Sequence, residues 1–195
     1  MTLRFCGIIG PTSVLVALLF CVPASARDLG AANAVGLFGQ SCLSFTGNPS
    51  GLREWAARYH LPEGPPPTRE GFLHGNQGRV YVASTVYGQM ALVSLDKGYC
   101  QVVMRQGNVA NVQTELRDQL LARHATLNLL LQQQDPQRGA AQKIFAYEQG
   151  AVHLQLSITA HGISGPVAEV ILTSTLPPES SDPPARSPAP AGNGS

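Results

Sequence analysis

Met90-Ala91-Leu92-Val93-Ser94-Leu95-Asp96-Lys97-Gly98-Tyr99-Cys100-Gln101-Val102-Val103-Met104-Arg105 sets the fold class of this chain. Two apolar runs, Met90 to Leu95 and Tyr99 to Arg105, flank Asp96-Lys97-Gly98, which reads as a hairpin turn with glycine where a positive φ is needed. Just upstream, Arg79 to Thr85 alternates, with Val80 and Val82 on one side and Tyr81 and Ala83 on the other. Three strands this close together must run antiparallel, because a parallel return needs a long crossover.

Downstream, Asn108 to His124 is an amphipathic helix with Val109, Val112, Leu116 and Leu120 as its apolar stripe. Strands follow around Thr126–Leu131, Ala141–Tyr147, Val152–Ala160 and Ala168–Leu176, divided by Gly-, Pro- and Asp-bearing turns. Upstream, Leu61 to Glu70 reads as a connector, extended around Gly64-Pro65-Pro66-Pro67, and Phe72 to Gly78 as a tight turn feeding the first strand. Two helices precede it. In one, Ala34, Val35, Phe38, Cys42 and Phe45 share a face over Ala31 to Phe45; the other is capped by Asn48, starts at Pro49 and carries Leu52, Trp55, Ala56 and Tyr59 on one face. The order implies an α+β fold: an antiparallel sheet, two meanders around a central helix, with two N-terminal helices packed on it and the helices on one face.

The ends of the chain read differently. Arg4, the apolar run Ser13 to Cys21 and Ala24-Ser25-Ala26 form the three parts of a signal peptide over residues 1–26. The apolar run is too short to span a bilayer, and Gly10-Pro11 interrupts the wider N-terminal stretch before it, which favours a cleaved leader over an anchor. A lipoprotein is the other alternative, since Cys21 follows Leu18-Leu19-Phe20, but Phe20 is large where the residue before a lipidated cysteine is normally small. Residues 177–195 hold six prolines and neither aromatic nor β-branched side chains, so they have too little to bury and read as a disordered tail. Residues 27–176 are then a single domain.

Removing the leader removes Cys6 and Cys21 and leaves Cys42 and Cys100. An even pair in an exported protein reads as a disulfide; two buried free thiols are the alternative. Once Arg4 is gone, 12 Asp and Glu are balanced by Lys and Arg, and no basic stripe exists to neutralise phosphates. Nucleic acid is therefore excluded as a partner on electrostatic grounds, and no stable membrane insertion is expected after leader cleavage.

Chemistry-bearing patterns are absent. His60, His74, His124, His153 and His161 show none of the close ligand pairs that a zinc site uses, so no metal and no cofactor are expected. His124, in the last turn of its helix, complements the helix dipole. His161 lies three residues from Ser164, but in a Gly/Pro-bearing strand connection and without a third group to orient the histidine. His74 to Gly78 lacks the Lys-Ser/Thr of a phosphate loop and leads into a strand. No catalytic residue is assigned.

Phe38, Cys42, Trp55, Leu61-Pro62, Phe72-Leu73-x-Gly75-x-x-Gly78, Gly88 and Cys100 together resemble a family of small uncharacterised proteobacterial exported proteins and lipoproteins. The resemblance implies a bacterial periplasmic setting and a bridge between Cys42 and Cys100; it implies no activity. The expectation is an exported, periplasmic or secreted, non-enzymatic binding or accessory protein, taking a protein partner or a small apolar ligand under the helices. The alternatives are a hydrolase with an unrecognised site and a structural subunit of an envelope assembly.

Overall fold

The central strand of the sheet is the last one in the chain. A computed structural model describes residues 28–162 and 168–178; the expected leader, nearly all of the expected tail and Ser164 lie outside the described residues. The elements run α1 (Leu29–Gln40), α2 (Cys42–Phe45), α3 (Pro49–Arg58), α4 (Pro66–Leu73), β1 (Gly78–Thr85), β2 (Gly88–Leu95), β3 (Cys100–Gly107), α5 (Val109–Ala122), β4 (Thr126–Asp135), β5 (Ala140–Gln149), β6 (Val152–His161) and β7 (Ala168–Thr175). β7 inserts beside β3, giving one antiparallel sheet of order β1-β2-β3-β7-β6-β5-β4. The two expected meanders are thus spliced into a single sheet, and the α+β class holds.

The main core lies between one face of the sheet and α1, α2, α3 and α5. Phe38, Leu52, Leu116 and Leu120 from the helices meet Leu92, Leu156 and Leu172 from the strands, all essentially without exposure. Helical spacing accounts for α1 and α5, and each is capped by the residue before it: Asp28 accepts from the Ala31 amide at 3.0 Å and Asn108 from the Asn111 amide at 3.1 Å. Asn111 also donates to Asp28 at 2.8 Å. That bond, with the Ala31 amide, holds the Asp28 carboxyl below its ordinary pKa.

Three expectations need correction. The helix expected over Ala31 to Phe45 is broken at Ser41, whose hydroxyl donates back to the Leu37 carbonyl at 2.6 Å, and it continues as the short α2. The connector expected over Leu61 to Glu70 contains the start of α4, which also takes Phe72 and Leu73 from the expected turn. Pro66 and Pro67 occupy its first positions, where their missing amides leave no hydrogen bond unmade. Finally, the helices do not all sit on one face. Phe72 and Leu73 of α4 cover the reverse side of β1–β3, where Val80, Ala91, Val93, Leu95 and Val103 form a second, smaller core.

Cys42 and Cys100 are bonded, with Cα atoms 5.2 Å apart, and tie α2 to the start of β3. Thr46 and Ser174 share a 2.5 Å hydrogen bond beside the bridge, since Ser174 is the register partner of Cys100. Gly47 donates to the Gly98 carbonyl at 3.0 Å, and both glycines have positive φ. A Cβ on Gly98 would stand 3.1 Å from the Gly47 backbone, so glycine is required where the helical segment meets the β2–β3 turn.

Candidate functional site

A sheet of seven strands has two edges, and here they are treated differently. Along β1, the Gly64 amide donates to the Val80 carbonyl at 2.8 Å and the Val82 amide to the Pro62 carbonyl at 2.9 Å, so the segment before α4 is laid against the edge. β4 has no such cover among the described residues. Its outer amides and carbonyls face solvent along ten residues, Thr126-Leu127-Asn128-Leu129-Leu130-Leu131-Gln132-Gln133-Gln134-Asp135. An edge strand of that kind is a template for a further strand.

Local structure fixes where β4 departs. α5 ends in a Schellman turn: the Ala125 amide reaches back to Leu120 and the His124 amide to Leu121, each at 3.0 Å. His124 takes the left-handed position, φ 55°, beyond the last helical turn, which corrects the expectation of a cation within it. Tyr147 donates to Gln149 at 2.5 Å, and Gln149 donates to the Arg123 carbonyl at 2.9 Å, so the turn is bolted to β5. Burial pushes the Tyr147 phenol above its ordinary pKa, keeping it a neutral donor.

The composition of β4 is the second half of the site. Leu127 packs on the main core, but Leu129, Leu130 and Leu131 are 54%, 60% and 39% exposed. Leu129 faces Phe145 and Leu131 faces Ile144, so Leu130 is an extra residue, a β-bulge. No charged side chain occurs until Asp135, whose carboxylate caps its own turn by accepting from the Gln137 and Arg138 amides, each at 3.1 Å. Of the usual defences of an edge, lysine, proline and inward charges are missing from the strand, and the bulge at Leu130 is present. Three consecutive leucines inside a strand break the alternation of period two, and that was the signal in the sequence for an exposed leucine here.

The clefts offer less. Gly30, Tyr87, Met90 and Met104 line a cleft of about 260 Å³ at the start of α1, somewhat below the usual size of a small-molecule site. It lies beside the turn between β1 and β2. A second cleft, about 450 Å³, lies between α4 and the reverse face and is lined by His74, Arg105 and Glu169 among others. His161 is the register partner of Glu169, and exposed His153 stands 4.0 Å from Glu148. His60, His74 and His124 are the non-glycine residues with positive φ among the described residues, and each ends a helix. Histidine tolerates that conformation better than most residues, so these three positions have a backbone reason to exist. Among the described residues, no group of three metal-ligating side chains comes together, and no helix is long and apolar enough to cross a membrane.

No family model matches the chain, and no curated protein or solved structure is significantly similar to it. Function must therefore be read from the site alone.

Proposed function

We propose that this chain is an exported accessory protein of the cell envelope, periplasmic or secreted, that binds a protein partner by strand addition at β4 and catalyses no reaction. The observation that carries this reading is the bare, leucine-bearing edge of β4, neutral from Thr126 to Gln134, set against the covered edge of β1. Export draws support from the signal-like residues 1–26, with cleavage after Ala26. The buried Cys42–Cys100 bridge adds to it, because such bonds persist in oxidising compartments. Residues 177–195 form a dispensable tail in this reading, and the resemblance to proteobacterial exported proteins fits the same setting.

Strand addition supplies affinity through backbone hydrogen bonds and specificity through the side chains beside the edge. Leu130→Lys puts a charge at the middle of the edge without touching the core. The test is the biological role of that variant in cells: loss of the role with unchanged secretion and circular dichroism is the expected result, and full retention contradicts the reading.

The cleft holding His74 near Arg105 and Glu169 favours a second reading, a hydrolase. Against it, the His74 side chain is exposed and makes no hydrogen bond to a carboxylate among the described residues. His74→Ala is expected to leave the role intact; abolition in a folded protein would point to catalysis instead.

A further inference from the structure

We infer that the partner of β4 is β4 of a second copy, the two chains meeting antiparallel across a two-fold axis to make one continuous sheet. This rests on the reading of β4 as the binding edge. Two-fold pairing within a sheet demands that opposite residues lie on the same face. In a regular ten-residue strand, full overlap with its own copy fails that test, because the first and last residues point to opposite faces.

The bulge at Leu130 reverses the outcome. Register with β5 puts Leu127, Leu129, Gln132 and Gln134 on the core face, opposite Tyr147, Phe145, Lys143 and Ala141. Thr126, Asn128, Leu131, Gln133 and Asp135 lie on the reverse face. Full overlap then sets Leu127 against Gln134 and Leu129 against Gln132 on one face, and Thr126 against Asp135 and Asn128 against Gln133 on the other. Each of these four pairs agrees. Leu130 and Leu131 of the two chains meet at the axis, where their exposed side chains cover one another.

Charge points the same way. Thr126 to Gln134 is neutral, so no charge meets its own copy, and a charged partner would find only Asp135, at the strand's end, to read. Asp135 falls opposite Thr126. Asn128 and the three glutamines carry donor and acceptor on one group and can pair with amides like themselves. Without Arg4 the chain has 12 Lys and Arg against 12 Asp and Glu, so self-association of the exported protein meets little long-range repulsion.

Sedimentation equilibrium of the exported protein should give a dimer, and Leu130→Lys should weaken it about a hundredfold by placing like charges together at the axis. Register is tested by cysteines, since Cys42 and Cys100 are already bonded. A mixture of Asn128→Cys and Gln133→Cys chains should form disulfide-linked dimers, and a mixture of Asn128→Cys and Gln134→Cys chains, on opposite faces, should not. A protein that stays monomeric at high concentration overturns the inference, as does a dimer indifferent to Leu130→Lys and without the expected cross-link. If the protein is monomeric but Leu130→Lys still loses the biological role, self-pairing falls and the binding edge stands. If it is monomeric and the role is kept, both fall.

Discussion

The two ends of the sheet differ in how many of their faces are covered. At β1–β3, helices α1 to α3 lie on one side and α4 on the other, and consecutive residues Leu92 and Val93 are both fully buried in separate cores. At β4–β6, only the core face is covered among the described residues: Leu156 is fully buried while its neighbour Ser157 is half-buried on the reverse face. The first half is closed on both sides, stapled by a disulfide and edged by a paired segment. The second is closed on one side and ends in a strand whose outer edge is unpaired among the described residues. In the proposed reading, stability and recognition lie in different halves of the molecule.

Opening the closed half should cost the most. Replacing Cys42 and Cys100 together by serine removes the link across 58 residues and should lower stability by about 4 kcal/mol if the bridge acts through chain entropy. Chemical denaturation of the variant beside the parent measures this. A loss below about 1 kcal/mol would mean that the Thr46–Ser174 bond and the packing of α2 already fix the helices on β3.

Neighbouring alanine substitutions separate the two halves more finely. Leu92→Ala should cost about 3 kcal/mol and Val93→Ala about 2, because each empties part of a core. In the open half, Leu156→Ala should cost about 3 kcal/mol, but Ser157→Ala should stay within about 0.5. Comparable costs at Val93 and Ser157, read from denaturation midpoints, would show the reverse face of β6 to be covered after all.

A smaller effect of opposite sign is expected at the root of β4. His124 holds a left-handed backbone that costs an ordinary residue more than glycine, so His124→Gly should stabilise by about 0.5–1 kcal/mol. The thermal midpoint reads the change. A destabilised His124→Gly would mean that the imidazole itself holds the turn.

The strands on both sides of this contrast were legible in the sequence, but the contrast itself was not, and what escaped did so for physical reasons. Strand existence followed from local alternation, and the β2–β3 turn from Gly98. The pairing of β3 with β7 joins residues far apart in the chain, and no local pattern encodes it. α4 was hidden because Pro65-Pro66-Pro67 resembles an extended segment, although proline at the first helical positions is equally well placed. The bare edge was half visible: Leu129-Leu130-Leu131 breaks the alternation, but whether an edge is bare depends on strand order. The two cysteines were legible because only one pairing of two is available.

Hydrogen–deuterium exchange of the Thr126–Asp135 amides as protein concentration rises watches the open edge itself. If β4 pairs with its copy, this strand, and not β1, gains protection with concentration, and Leu130→Lys abolishes the gain. Exchange in β4 that stays fast at every concentration, or protection that rises equally at β1, would contradict the pairing.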